Sequence, residues 1–275
     1  MKERATYATS NATRMVAKVN VDGGRVGGAV PAGSTPGLEV RALGTAAIDH
    51  IDVIHNGAVE YRKDFLIPEA RDPAAVQIMF HTPTETPGDE VRPPASGTSW
   101  GGWIEVSGGR IASLETLGVD HFSDEFRQVD ERRVWFAIKT RGDFDGVLLR
   151  LAEVLPETAV AVRVAYLERD GVGTGGQRRL ARAAGPPGTR SLHEVRFQVN
   201  EVTQPPGKFE AAPGAQVFAR KVKANGSWDA ALRYRPARPP AQDDYYYVRV
   251  VQVDGETAWT SPFWVWEPRP RPASR

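Results

Sequence analysis

The chain has 275 residues, no cysteine, and 35 Lys and Arg against 34 Asp and Glu, for a formal net charge of +1. This excludes a disulfide-stapled scaffold, a thiolate nucleophile, a Cys-ligated zinc and an iron–sulfur cluster. With 41% hydrophobic residues the composition is globular rather than disordered, and the balanced charge argues against a dedicated nucleic-acid binder.

The length allows one or two substantial cores. No run approaches the ~18 apolar residues that read as a membrane-spanning helix, so no membrane span is expected. Residues 1–14 carry charge but no apolar h-region, and do not read as a signal peptide. The default compartment is therefore cytoplasmic, with an exported parent protein left open.

In chain order, the dominant local signal is a strand-like run beside an Asx-Gly or Gly-Gly pair, whose residues supply the positive φ of tight hairpin turns. Residues 15–21 precede Asp22-Gly23. Residues 51–55 run into Asn56-Gly57 and then 58–62. Ser107-Gly108-Gly109 separates 103–106 from 110–114. Asp145-Gly146 separates 134–140 from 147–151. Asn225-Gly226 follows 217–223 and precedes 228–234. Asp254-Gly255 lies between 245–253 and 257–266. Six hairpin-type junctions are thus expected.

The runs alternate with period two. Val134, Phe136 and Ile138 share a face, as do Val160, Val162, Val164 and Tyr166. Residues 245–253 are apolar on both faces apart from Arg249 and Gln252, and read as a central strand covered on both sides. Residues 123–132 and 176–184 read as short helices. Many short strands with Gly and Pro turns indicate antiparallel sandwiches, not a parallel sheet.

Pro-rich 82–97 and Gly/Pro-rich 171–190 read as connections. They bracket a block, 98–170, with strands of its own. Residues 235–244 read as a long loop, and 269–275 as a mobile tail.

Several stretches resemble one bacterial family in wording and order. They are Arg4, Tyr7-Ala8-Thr9-Ser10, the run 51–59, Trp103 with Gly108-Gly109-Arg110-Ile111, Gly142-Asp143-Phe144-Asp145-Gly146-Val147, and the C-terminal run 245–265. The family is a domain-of-unknown-function family whose members begin with a PHP-like, polymerase-and-histidinol-phosphatase-type metal-dependent phosphoesterase domain. The resemblance covers the β-sandwich region that follows that catalytic domain, and the stretch around Tyr7 falls at the junction. It implies that the HxH-type metal ligands lie on a domain this sequence does not contain, so no catalytic residue carries over.

The resemblance and the Pro/Gly connections together give an all-β expectation. It has two immunoglobulin-like or jelly-roll-like antiparallel sandwich units, residues 1–97 plus 191–268 forming one and 98–170 inserted as the second. The expected function is a non-catalytic accessory module of a PHP-like metal-dependent hydrolase, with no cofactor of its own. A PHP-like catalytic domain or a second copy of the chain is the expected partner, and a small-molecule ligand is left unidentified. An apolar partner-facing surface is expected around Tyr7 and Met15.

Candidate chemistry is sparse. His50, His55, His81, His121 and His193 form no HxH, HxxxH or HExxH motif, and His50 and His55 point to opposite faces of one strand. Asp143 and Asp145 resemble half of a calcium loop, but Val147 and Val154 stand where an EF-hand needs ligands; a hairpin turn is the plainer reading. Glu115 or Asp120 with Asp124 or Glu125 can be drawn as a carboxylate pair, with nothing to fix their separation. Residues 99–102 are not a nucleophile elbow. Residues 171–179 lack the ending of a phosphate loop, and basic 177–190 lacks stacking aromatics.

The aromatics offer the competing function, a carbohydrate- or cell-surface-polymer-binding module. Here Trp100 and Trp103, beside glycines, would be the exposed stacking residues. Trp264 and Trp266 share a face and read as core or as packed against a neighbouring domain.

Overall fold

In the computed structural model the described residues are 6–10, 14–69, 74–83, 97–119, 124–140, 142–169, 192–202, 206–212 and 214–266. They form twenty strands: β1 (Tyr7–Thr9), β2 (Val16–Val21), β3 (Ala29–Val30), β4 (Leu38–Leu43), β5 (Ile48–His55), β6 (Ala58–Asp64), β7 (Ala74–His81), β8 (Thr98–Ser107), β9 (Arg110–Leu117) and β10 (Glu125–Gln128). There follow β11 (Arg133–Thr140), β12 (Phe144–Ala152), β13 (Ala159–Arg169), β14 (His193–Gln198), β15 (Gly207–Ala212), β16 (Ala215–Lys223), β17 (Asp229–Tyr234), β18 (Tyr245–Gln252), β19 (Thr257–Thr260) and β20 (Phe263–Val265). The expected all-β class of antiparallel sandwiches is what the chain adopts.

The chain divides into two units, residues 1–66 with 225–275, and residues 67–224. In the first unit, β18 is the centre of a seven-stranded sheet, flanked on one side by β19 and β20 and on the other by β5, with β6 beyond. A three-stranded sheet, β17-β4-β2, supplies the rest of its core. That core gathers Met15, Leu38, Val40, Ile48, Ile51, Val53, Leu232, Tyr246, Val248, Val250 and Phe263. The second unit has two five-stranded sheets, β10-β11-β8-β13-β14 and β15-β16-β7-β12-β9. Their inner faces form one cluster around Phe80, Trp100, Ile104, Phe136, Ile138, Leu149 and Val162.

One unit is inserted in the other, but its limits fall at 66/67 and 224/225 rather than at 97/98 and 170/171. The reason is pairing. β7 lies between β12 and β16, and β14 adds to β13, so residues 74–81 and 193–223 complete the inserted sheets. The proposed connection 171–190 and the tail 269–275 lie outside the described residues.

Two of the six expected junctions are hairpins. Asn56 and Gly57 both take positive φ, 48° and 84°, as a type I′ turn requires, and join β5 to β6. Gly255, at φ 86°, turns β18 into β19. Asp22-Gly23 closes a tight turn, yet β2 pairs with β4. After Gly108 the chain crosses from the sheet of β8 to that of β9, and Asn225-Gly226 links strands of different units. Asp145-Gly146 is no turn at all: both residues lie inside β12 opposite Phe80 and Met79. A Cβ on Gly146 would stand 2.1 Å from the Ile78 carbonyl oxygen, so glycine there serves close strand approach.

Residues 125–128, expected as part of a helix, form β10 against β11; the other expected helix lies outside the described residues. Val134, Phe136 and Ile138 face the core together, as do Val160, Val162 and Val164. Tyr166 does not join them. A register shift between Val164 and Tyr166 turns it to the opposite side.

Candidate functional site

Trp100 and Trp103 are not exposed. Trp100 is 0% accessible, edge-on to Phe80 at 5.4 Å, and donates its indole N–H to Thr140 Oγ1 at 2.9 Å. Thr140 in turn shares a 2.8 Å hydrogen bond with Thr82. Trp103 is buried on the other side of the same sheet with Trp135, Ala137 and Tyr166. The stacking platform expected at these two residues is therefore absent, because the area each indole removes from water outweighs what exposure would serve. Trp264 and Trp266, expected to be buried, are exposed at 43% and 49%, as are Trp228 and Trp259 at 56% and 38%. Of the partner-facing pair, Tyr7 is exposed at the edge strand β1, whereas Met15 is core.

Asp145 lies on the core-facing side of β12, level with Phe80, and is fully buried; Asp143 precedes that strand. Among the described residues, the three-donor grouping suited to a metal does not include them. Glu115 and Asp124 are held in different sheets of the second unit. Glu115 pairs with Arg150 at 3.3 Å, and Asp124 accepts a hydrogen bond from the Lys139 N–H at 3.0 Å. Glu125 is exposed beside Arg127. Ser99 is buried inside β8 rather than on a turn. Asp120, His121 and 171–190 lie outside the described residues.

The histidines separate as the alternation requires. His81 stacks on Phe144 at 4.3 Å, and burial lowers its pKa despite opposing hydrogen bonds. His193 is exposed at the start of β14. His55 stacks on Tyr246 at 4.4 Å with planes 3° apart. Its Nδ1 lies 2.8 Å from Glu60 Oε2 and its Nε2 3.0 Å from Asp244 Oδ2. Tyr234 donates to the other oxygen of Glu60. Burial, then Glu60, pushes the Tyr234 hydroxyl pKa upward, and burial with Glu60 and Asp244 does the same to Tyr246. Burial works against ionised Asp244, yet Asn56, the Ala241 N–H and His55 hold its pKa below the ordinary value.

His50 is on the other face of β5, which points away from the core. Register there sets up rows across the strands. One row runs Ala8, Trp259, Arg249, Asp52, Arg62. The next runs Thr257, Val251, His50, Asp64. Asp52 is 0% exposed and takes both guanidiniums: Arg62 at 2.7 and 3.0 Å, Arg249 at 3.0 and 2.6 Å. Burial alone would raise its pKa; His50, Arg62 and Arg249 prevail and hold it well below the usual carboxylate range. Burial opposes charge on His50 too, but Asp49 and Asp52 raise its pKa overall.

Asp49, His50 and Asp64 place donor atoms within 4.8 Å of one another. Asp49 sits at the register shift where Val251 pairs with His50 and Gln252 with Ile48, and its carboxylate lies 3.7 Å from His50 Nδ1. An imidazole and two carboxylates form a donor set suited to zinc or manganese. Here, however, the imidazole already lies between two carboxylates, its Nδ1 3.7 Å from Asp49 and its Nε2 3.5 Å from Asp52.

None of these clusters was drawn from the sequence. The signal for Asp52 was the odd position of an acid within an otherwise apolar strand.

Compared with models of protein families, with curated proteins and with solved structures, the chain matches none.

Proposed function

We propose that the chain is a non-catalytic accessory β-sandwich module of a PHP-like metal-dependent hydrolase. The observation that carries this reading is β1. The Tyr7-Ala8-Thr9 stretch, which resembles the junction to a catalytic domain, pairs in register with Thr260, Trp259 and Ala258 as an edge strand of the seven-stranded sheet. Tyr7 stands 49% exposed on that edge. An aromatic on an edge strand is a ready contact for a neighbouring domain.

The spending of titratable groups on architecture supports the same reading. Asp52 is saturated by two guanidiniums, and His55 is spanned by two carboxylates.

The test is the genomic DNA upstream of the Met1 codon. An HxH-bearing domain read in frame into Arg4, or encoded next to this gene, is expected. A stop codon with no metal-hydrolase gene beside it overturns the assignment.

A further inference from the structure

An antiparallel sheet with one face in a core normally presents polar side chains on the other. β18 breaks this rule. Its inward residues are Tyr246, Val248 and Val250, which lie in the core. Its outward residues are Tyr245, Tyr247, Arg249 and Val251. Trp264 lies directly across from Tyr245, and Trp259 across from Arg249, both outward. Tyr245 and Tyr247 stack with planes 8° apart and centroids 6.5 Å apart, and Tyr245 meets Trp264 at 5.1 Å. Four rings thus line one solvent-facing strip of the first unit.

Beside the rings, Arg249 and Arg62 are fixed by buried Asp52 through Nε and Nη2. Each guanidinium has five N–H donors, so each keeps donor capacity while its head group is held still. Their charges face Asp52, and the neighbouring row carries His50 with Asp49 and Asp64. Positive and negative groups therefore stand side by side on this face.

We propose that this face binds a neutral polysaccharide chain. Tyr245 and Tyr247, 8° from parallel, with Trp264 tilted 46° against Tyr245, offer the apolar stacking surface that the C–H face of a pyranose needs. The fixed guanidiniums donate to hydroxyls through the N–H groups that Asp52 leaves unused. The mixed charge gives no preference for an anionic polymer, and the preorganised donors lower the ordering cost of binding. The site stands apart from the accessory reading, and either can fail without the other.

The experiment is native electrophoresis through gels cast with hydroxyethylcellulose, galactomannan or soluble starch. Retardation in at least one gel is expected. Trp259→Ala and Trp264→Ala should each weaken it by roughly tenfold, as one lost stacking contact implies, with the melting temperature nearly unchanged. Should either variant fold poorly, the unaltered protein is titrated with hexaoses of the same sugars; a saturable shift of tryptophan emission is expected. Free migration in every gel overturns the proposal. So does retardation equal in the double variant, or a self-association through Trp259 and Trp264 without sugar binding.

Discussion

Arg249 of β18 faces Asp52 of β5 across an antiparallel pair, its Nη2 2.6 Å from Oδ2, and Arg62 closes on the same carboxylate from β6. Three adjacent strands of the seven-stranded sheet are thereby tied by one buried acid. Removing that acid leaves two guanidiniums without their partner. Asp52→Asn should cost about 3 kcal/mol, the usual penalty for breaking a buried ion pair, read by urea unfolding.

The pH dependence follows from the same cluster. The folded pKa of Asp52 lies below its unfolded value. Its contribution is present above the unfolded pKa of about 3.9 and is lost as pH falls through the folded one. His50 is the opposite case. Its folded pKa lies above the unfolded value, so its contribution is complete below about pH 6.5 and is lost as pH rises through the folded pKa. His50→Gln should flatten the decline in melting temperature above about pH 6.5, and Asp52→Asn should flatten the acid limb.

The indoles should divide by unit and face. Trp100→Ala removes a fully buried ring and its hydrogen bond to Thr140, at about 4 kcal/mol. Trp264→Ala, at an exposed position, should change stability by less than about 1 kcal/mol. Thermal melts of the two variants check the contrast.

Glycines give a further contrast. A Cβ at Gly102 would meet the Arg163 carbonyl oxygen at 1.9 Å, and at Gly146 that of Ile78 at 2.1 Å. Either Ala variant should lose more than about 4 kcal/mol, since paired backbone must move. Gly23, at φ +71° in open space, should cost only about 1–2 kcal/mol on the same change. Denaturant midpoints distinguish the three.

Alternation was legible in the sequence because it is local. Val134, Phe136 and Ile138 needed no knowledge of their partners to share a side. Which side becomes the core is not local. Trp264 and Trp266 do not share the core, while Trp100, next to flexible-looking glycines, is central to it. Gly146 reads as turn material, yet it and Gly102 are where two strands approach too closely for a side chain. An insertion was expected from the Pro/Gly stretches 82–97 and 171–190, but both fall in sequence within the inserted unit, whose limits depended on which distant strands β7 and β16 would join. Bulges were invisible for the same reason: the shift that turns Tyr166 outward exists only relative to β8.

We propose that this polypeptide's acids and histidines hold sheets together rather than turn over substrate. The direct measurement is hydrolysis of p-nitrophenyl phosphate by the purified protein with Mn²⁺ or Zn²⁺. The account predicts a rate equal to the metal-only blank, in the unaltered protein and in His55→Ala alike. Saturable turnover that disappears in His55→Ala would contradict it.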